Sequence, residues 1–311
     1  MAELAVQELT NLYAFYSEYI TVMTSNVQGY FYNPAEAMQG TVLKEMTTEI
    51  FLANMTWEEA RDRAKVSDIA ILPIGSTEEH GPHLTLNTDS FHVTEVVRRA
   101  AEIVADEVKP VIAPTIPYGV GAKSIAKDFP GTLFIRIDTL KSLVKDICET
   151  LALSGFRKIL IIDGHGGNPP AVFQVTKEVT EETGAACLYV QWGGLIPREV
   201  IQKVVSTVRC HAGESETSIN MALGNRVLME RAVDAVPTDP IWELSNKGDY
   251  DSGSIDSGAL TFAGDLKAQT NGSGVMGVPS KASVQEGQIL VDEAIKGLVQ
   301  LLRKLSRMPR Y

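Results

Sequence analysis

The chain contains few cysteines: Cys148, Cys187 and Cys210 are the only three among its 311 residues. Three scattered thiols cannot build a disulfide framework, and their spacing contains no CxxC pair for a metal. An odd number of cysteines without a secretory signal is typical of the reducing cytoplasm. Cys148 and Cys187 fall within apolar patterns, so we expect them in the core. The sequence therefore predicts a cytoplasmic protein.

The chain is also poor in basic residues and lacks long apolar runs. Lys and Arg total 28 against 39 Asp and Glu, which gives a formal net charge of −11. Because the chain is acidic and has no stripe of basic residues, it is not expected to bind nucleic acid or an anionic membrane. No apolar run reaches the roughly 18 residues that a membrane span needs. We therefore expect a soluble protein that binds neither nucleic acid nor a membrane.

Histidine is scarce as well, and its distribution is the most informative feature of the chain. Four of the five histidines lie in three short motifs that also contain glycine and carboxylates. The motifs span residues 75–89, 163–168 and 211–218. Imidazoles and carboxylates crowded into turn sequences are the usual ligands of divalent metal ions. The sequence therefore predicts a divalent metal site.

Strand and helix patterns alternate from about residue 48 onward. Short apolar runs predict buried strands at 69–74, 111–114, 132–137, 158–163 and 186–191. Helices are expected at 89–104, 138–154, from 169 onward, at 214–223 and at 284–305. This alternation predicts an α/β fold with a mainly parallel sheet covered by helices on both faces.

Two segments lie outside this pattern. Residues 1–47 are rich in tyrosine and are expected to be an extension, either a packed helix or an arm at a subunit interface. Residues 48–311 would then form one domain. Within it, residues 247–273 are rich in Gly, Ser and Asp and are expected to form a loop or a weak hairpin.

The expected topology brings the first two motifs together, because ligands of open α/β sheets bind at the carboxyl ends of the strands. In the first motif, Glu78 and His80 are two residues apart and share a face in an extended segment. Asp89 stands at a helix start, where a carboxylate is also stabilised by the helix dipole. The alternative is a capping glutamate, an N-cap aspartate and a buried histidine. All three at one strand end favour a metal.

The other two motifs are less specific when each is taken alone. His165 lies in a glycine-rich turn that could hold a phosphate, but the turn lacks the P-loop and dinucleotide-binding patterns. His211 precedes a helix whose first turn carries Glu214 and Glu216. These two acids point to different faces, so only one is expected in the site. The alternative is that both are surface residues matched to the helix dipole.

Together the motifs supply more ligands than a single catalytic zinc needs. The set suits two divalent ions bridged by a carboxylate, which activate water and polarise a carbonyl group. His211 would protonate the leaving group or stabilise the oxyanion. The candidate ligands are Glu78, Asp89, Glu216, His80 and His165.

The motifs resemble those of the creatininase (creatinine amidohydrolase) family, in the family's order and over residues 66 to about 305. The matching segments are Leu72-Pro-Ile-Gly-Ser-Thr-Glu-Glu-His-Gly-Pro-His-Leu with Asn87-Thr-Asp89, Phe129-Pro-Gly-Thr132, Asp163-Gly-His-Gly-Gly-Asn168, His211-Ala-Gly-Glu-Ser-Glu-Thr-Ser218, and Gly274-Val-Met-Gly-Val-Pro279 ahead of Glu286-Gly287.

The resemblance implies a three-layer α/β/α sandwich, two divalent metal ions per subunit (zinc, manganese or iron) and a homo-oligomer, often a hexamer. By position, one metal would be bound by Glu78, Asp89 and His165, and the other by His80 with Asp89 as the bridge. His211 would be the catalytic histidine, and Glu216 a ligand or the catalytic acid.

Departures from the family pattern argue against creatinine as the substrate. Gly167 stands where creatininase has a glutamate ligand, so Glu216 or water would complete that metal's shell. Residues 119–129 contain no histidine, although the family usually shows one shortly before Phe-Pro-Gly-Thr. Lys123 and Lys127 in this stretch would suit a polar or anionic small molecule, or are solvated loop charges. The aromatic extension is also atypical.

We therefore expect a metal-dependent hydrolase in which activated water attacks a cyclic amide or a related carbonyl compound. Hydrolysis of an oxidised cyclitol, a diketo-inositol ring, is an alternative within the family. Removal of a formyl group, or of residues from a peptide precursor, is another. Outside the hydrolases, the alternatives are a metal-stabilised assembly protein without turnover and a sugar isomerase that uses the same metals.

Overall fold

The computed structural model describes residues 48–207, 210–236 and 270–309. The aromatic extension expected at 1–47 lies outside the described residues, so its structure and the boundary at residue 47 stay predictions. Of the loop or hairpin expected at 247–273, only residues 270–273 are described, and they form a turn.

A parallel sheet of four strands forms the centre of the described part of the chain. Its strands are β1 (Ile69–Ile74), β2 (Val111–Ile112), β3 (Lys158–Asp163) and β4 (Ala186–Gln191). They lie in the order β2-β1-β3-β4, and all three pairings are parallel. Both central strands, β1 and β3, are buried along their whole length. Continuous apolar runs of this kind are typical of strands covered on both faces.

Helices cover the two faces of the sheet. They are α1 (Trp57–Val66), α2 (Thr88–Ile103), α3 (Lys123–Asp128), α4 (Ile137–Leu153), α5 (Pro169–Thr183), α6 (Arg198–Val204), α7 (Glu214–Leu223) and α8 (Val284–Arg307). α5 begins with proline and ends before Gly184, whose φ of 67° is the left-handed conformation that glycine adopts at little cost. No helix in the described ranges is long and apolar enough to cross a membrane.

Successive side chains of the sheet enter two separate cores. Ile69 and Ile71 of β1 pack with the buried faces of α2, α7 and α8. Ala70, Leu72 and Ile74 point the other way and pack with α4 and α5. The same alternation runs along β3, and the predicted core cysteines Cys148 and Cys187 are both buried. The fold is therefore the three-layer α/β/α sandwich that was expected.

The prediction of a strand at 132–137 is wrong. The segment forms only an isolated bridge, between Ile135 and Val120. The backbone N–H of Leu133 donates to the carbonyl oxygen of Thr77, so the segment pairs with a loop at the carboxyl edge of the sheet. Phe134 and Ile135 are half-buried, whereas Leu133 and Ile137 are exposed, so the apolar pattern does not correspond to a buried strand.

Candidate functional site

The first two motifs meet at the carboxyl edge of the sheet. β1 ends at Ile74, beside Asp163 at the end of β3. The backbone N–H of Gly164 donates to the carbonyl oxygen of Ile74 at 2.8 Å, so the two turns leave the sheet together. α2 begins at Thr88, and its first turn carries Asp89. Strand ends and a helix start therefore position the candidate ligands.

The first donor group comprises Glu78, Asp89 and His165. Nδ1 of His165 lies 3.0 Å from Oε2 of Glu78 and 2.9 Å from Oδ2 of Asp89. The other ring nitrogen, Nε2, donates to the carbonyl oxygen of Val120 at 2.9 Å. That bond places a proton on Nε2 and aims Nδ1 at the carboxylates. Metal-binding histidines are commonly oriented by such a second partner.

The second donor group comprises His80, Asp89 and Glu216. Nε2 of His80 lies 3.2 Å from Oδ1 of Asp89 and 3.7 Å from Oε2 of Glu216. Nδ1 of His80 donates to the carbonyl oxygen of Glu78 at 3.2 Å, so a backbone acceptor orients this ring too. In each group the ligand atoms lie within 4.8 Å of one another. The structure thus brings together all five predicted ligands, and Asp89 belongs to both groups.

His211 stands beside these groups on the more open side of the site. Its ring centroid lies 4.3 Å from that of His80, and its ligand atom is within 4.8 Å of those of Glu78 and His80. Nε2 of His211 donates to the carbonyl oxygen of Glu79 at 2.7 Å and lies 3.1 Å from its Oε1. The His211 side chain is 18% exposed, whereas that of His80 is 1% exposed.

Of the two acids in the third motif, the structure brings Glu216 to the site. Oε2 of Glu216 accepts a hydrogen bond from the N–H of Ala212 at 2.6 Å, and its side chain is 28% exposed. Glu214 turns away, because its carboxylate accepts hydrogen bonds from Ser206 and Thr207. Glu214 and Glu216 are two positions apart in the helix, so their side chains point in directions that differ by about 200°.

The charges of the site stabilise one another. Burial lowers the pKa of His80, but the Asp89 and Glu216 carboxylates outweigh it and raise the pKa to about 9. Burial opposes protonation of His211 in the same way, and the Glu79 carboxylate nevertheless raises its pKa to about 10. Burial alone would raise the pKa of Asp89, yet the imidazoles hold it well below its usual range. A divalent cation bound between His80 and Asp89 would take the place of the imidazole proton in balancing the carboxylate.

Asp163 stabilises the turn of the second motif through hydrogen bonds. Its Oδ1 accepts hydrogen bonds from the N–H of His165 and the side-chain amide of Asn168, both at 3.0 Å. Its Oδ2 accepts one from the Tyr189 hydroxyl at 2.9 Å. Oδ1 of Asn168 in turn accepts from the N–H of Val120 at 3.0 Å. Asp163 therefore holds the turn that aims His165, even though burial raises its pKa to about 6.

Gly167 occupies a position where no side chain fits. A Cβ atom there would lie 2.5 Å from Nε2 of His165, and closer still to the carbonyl oxygen of Val120. The hydrogen bond between these two groups fills the space that a side chain would need. A glutamate at this position, as in creatininase, would therefore displace His165 or the backbone of Val120. Glu216 is the carboxylate that faces His80 in this chain, at 3.7 Å.

The sequence analysis assigned no role to two residues of the first motif, Glu79 and His83. Glu79 contacts His211, and its position directly between two candidate ligands was the available signal. Nε2 of His83 lies 2.9 Å from Oγ1 of Thr217, outside the donor groups. Burial lowers the pKa of His83 to about 4.

Lys123 and Lys127, the candidate substrate contacts, are exposed residues of α3.

Curated proteins of related sequence include three kinds of hydrolase. Creatinine amidohydrolase of Pseudomonas putida is 26% identical over 277 residues, which cover 83% of this chain and 98% of that protein. The 3-dehydro-scyllo-inosose hydrolase of Thermotoga maritima is 29% identical over 277 residues, covering 85% and 84%. A mycofactocin precursor peptide peptidase of Mycolicibacterium smegmatis is 25% identical over 257 residues, covering 82% and 92%.

Solved structures of creatininases share the fold. A manganese creatininase superposes with a TM-score of 0.69 at 23% identity, covering 84% of this chain and 100% of the other. A mutant creatininase of Zn-Zn type gives a TM-score of 0.68 at 24% identity, covering 83% and 98%. The family model for creatininase, described as creatinine amidohydrolase, matches residues 53–302. Because that match spans most of the sequence, the chain belongs to the creatininase family.

Proposed function

We propose that this chain is a hydrolase that depends on two divalent metal ions. The position of Asp89 carries the proposal: one of its carboxylate oxygens faces Nδ1 of His165 and the other faces Nε2 of His80. A carboxylate shared by two donor groups is what a pair of close divalent ions requires. One ion would be held by Glu78, Asp89 and His165, and the other by His80, Asp89 and Glu216.

The residues present fit this role. Carboxylate oxygens and imidazole nitrogens suit zinc, manganese and iron. The backbone carbonyls of Val120 and Glu78 each fix the nitrogen that a ligand histidine presents. The zinc and manganese forms of solved creatininases support this choice of metals. When bound, such ions make water nucleophilic at neutral pH and polarise a carbonyl oxygen, which is the chemistry of hydrolysis.

His211 is the proposed proton carrier, and Glu216 serves as a ligand on the His80 side. Nε2 of His211 is held by Glu79, so Nδ1 is the nitrogen that takes a proton from water and returns it to the leaving group. The partial exposure of His211 and Glu216 marks the side from which a small-molecule substrate enters.

The proposed substrate is a cyclic amide or a related carbonyl compound other than creatinine. The packing around Gly167 leaves no space for a side chain without displacement of its neighbours, which supports a site that differs from the one that accepts creatinine. Hydrolysis of a keto-cyclitol is the second candidate, because the 29% identical relative from Thermotoga maritima is named for that reaction. A peptide substrate is the third, supported by the relative from Mycolicibacterium smegmatis.

The test is a metal analysis followed by a substrate screen. Purified full-length protein, loaded with zinc or manganese, is assayed on creatinine, other lactams, N-formyl amino acids and inososes, with and without a chelator. We expect turnover of a non-creatinine compound that a chelator abolishes and metal restores. Incorporation of oxygen from isotopically labelled water separates hydrolysis from isomerisation. Activity that survives complete metal removal would contradict the proposal.

The non-catalytic assembly protein is tested by His211→Ala. A hydrolase should keep its metal content and lose turnover, whereas a metal-stabilised assembly should lose nothing. We also propose that the chain acts as a homo-oligomer, with residues 48–311 as its catalytic domain, and sedimentation velocity measures that assembly.

A further inference from the structure

Glu79 lies in the sequence between two proposed ligands, yet it belongs to neither donor group. Its side chain is only 5% exposed. The carboxylate meets His211 and the backbone N–H of Gly81, whereas Glu78 and His80 on either side point to the donor groups. A buried carboxylate needs partners that compensate the loss of water, and these two donors supply them. The position of Glu79 therefore suits a role separate from metal binding.

The surroundings of Glu79 fix its carboxylate in one place. Oε2 accepts a hydrogen bond from the N–H of Gly81 at 2.9 Å, and the Glu79 backbone N–H donates to Oγ1 of Thr132 at 3.0 Å. Gly274 packs against the other side so closely that a Cβ atom there would lie 2.6 Å from Cδ of Glu79. Donors on one side and a glycine backbone on the other restrict the position of the carboxylate.

Two of the three acceptor oxygens of Glu79, the backbone carbonyl oxygen and Oε1, are directed at the same nitrogen of His211. Nε2 lies 2.7 Å from the Glu79 carbonyl oxygen and 3.1 Å from its Oε1. The carbonyl oxygen determines which nitrogen carries the hydrogen, and the carboxylate adds a negative charge beside it. When Nδ1 takes up a second proton, the ring becomes positive, and a fixed carboxylate stabilises that charge without rearrangement.

We propose that Glu79 is the positioning residue of His211: it holds the imidazole with Nδ1 free for the substrate and stabilises the positive ring during proton transfer. The inference rests on the proposed function, because it needs His211 as the proton carrier. It also explains why the residue is a glutamate. Glutamine has one acceptor oxygen and cannot accept from both Gly81 and His211, so its amide would face one of these donors.

The test is a double-mutant cycle on the zinc-loaded full chain, with the best substrate of the screen described above. Glu79→Gln and Glu79→Ala should lower kcat by on the order of 10- to 100-fold, with KM and metal content close to those of the wild type. Combined with His211→Ala, either change should lower kcat little further, because Glu79 acts through His211. Full multiplication of the two losses, or an unchanged kcat in Glu79→Gln, would overturn the inference.

A second readout needs no substrate. In zinc-loaded protein labelled with ¹⁵N-histidine, the N–H proton shared by His211 and Glu79 should resonate well downfield of the amide region. The signal should be absent from His211→Ala and shifted upfield in Glu79→Gln. If the chemical shift of this signal were the same in Glu79→Gln as in the wild type, the assigned role of Glu79 would be contradicted.

The neighbouring glutamate separates this inference from the proposed function. Glu78→Gln removes a proposed ligand and should lose metal, whereas Glu79→Gln should retain it. If Glu78→Gln also kept its full metal content and activity, the proposed metal centre would fail. If Glu78→Gln lost metal while Glu79→Gln behaved as wild type, only the role of Glu79 would fail.

Discussion

Asp89 lies between His165 and His80 with one oxygen toward each: Oδ2 is 2.9 Å from Nδ1 of His165, and Oδ1 is 3.2 Å from Nε2 of His80. The two imidazoles come from segments far apart in sequence, and a carboxylate at the start of α2 joins them. The proposed two-ion centre requires such a shared carboxylate, whereas two unrelated histidine–carboxylate pairs would not have one.

Asp89 and Glu216 should therefore differ in what their loss does to metal content. Asp89→Asn removes a charge common to both donor groups, so zinc content should fall from about two ions per chain toward none. Glu216→Gln affects only the group of His80, so about one ion should remain. Metal analysis after gel filtration measures both. Asp138→Asn, an exposed acid in the first turn of α4, is the control for loss of a helix-dipole partner.

Much of this site could be anticipated from the sequence, because its ligands follow strand ends or begin helices. The run at 158–163 identified β3, and the polar residues after it had to lie at the carboxyl edge. The sequence analysis chose Glu216 over Glu214 as the candidate ligand, but residue spacing alone could not exclude Glu214. The orientation of Glu214 depends on the hydrogen bonds from Ser206 and Thr207, which are made by an irregular segment before the helix.

Two other features were beyond sequence reasoning for different reasons. The strand predicted at 132–137 failed because an apolar pattern does not tell which backbone supplies the hydrogen bonds, and here Leu133 pairs with Thr77 in a loop. The contact of Glu79 with His211 joins residues 132 positions apart. Such a contact depends on how the third motif packs over the first, which local patterns do not encode.

Gly167→Ala should weaken the donor group of His165. The added Cβ would displace His165 or the carbonyl oxygen of Val120, and so break the bond that aims Nδ1 at the carboxylates. Loss of such an orienting partner typically lowers metal affinity by about 10- to 100-fold. Competition with a fluorescent zinc chelator measures the change. Gly194→Ala is the matched control, because its Cβ meets nothing within 4 Å, and it should bind zinc like the wild type.

Gly274→Ala should impair turnover by displacing Glu79. Both Gly274 (φ 74°) and Gly272 (φ 80°) have left-handed backbones, so alanine costs each about 1 to 2 kcal/mol. Only at Gly274 does the new Cβ collide with the Glu79 carboxylate, whereas at Gly272 it meets open space. We expect kcat to fall by about tenfold or more in Gly274→Ala and to stay near wild type in Gly272→Ala. Equal kinetics in the two variants would show that the collision is harmless.

Glu286 should make the protein less stable as the pH rises. Burial and the charge of Glu214 raise the pKa of Glu286 to about 7. Because the folded pKa exceeds the unfolded value of about 4.3, the stabilising contribution of the neutral carboxyl is complete below the unfolded pKa. It is lost as the pH rises through the folded pKa.

Denaturation at about pH 5.5 and about pH 8.5 measures this effect. Between these conditions the wild type should lose about 1 to 2 kcal/mol more than Glu286→Gln, whose amide stays neutral throughout. Asp292→Asn, an exposed change on the same helix, should follow the wild type. Identical pH dependence in Glu286→Gln and the wild type would assign the titration to another group.

The most direct test of the central claim is anomalous diffraction from crystals of the full chain grown with zinc or manganese. We expect two anomalous peaks about 3.5 to 4 Å apart, one on each side of Asp89, with His165 and Glu78 at one and His80 and Glu216 at the other. Crystals that show no peak between these side chains at saturating metal, or a peak only at the protein surface, would contradict the account.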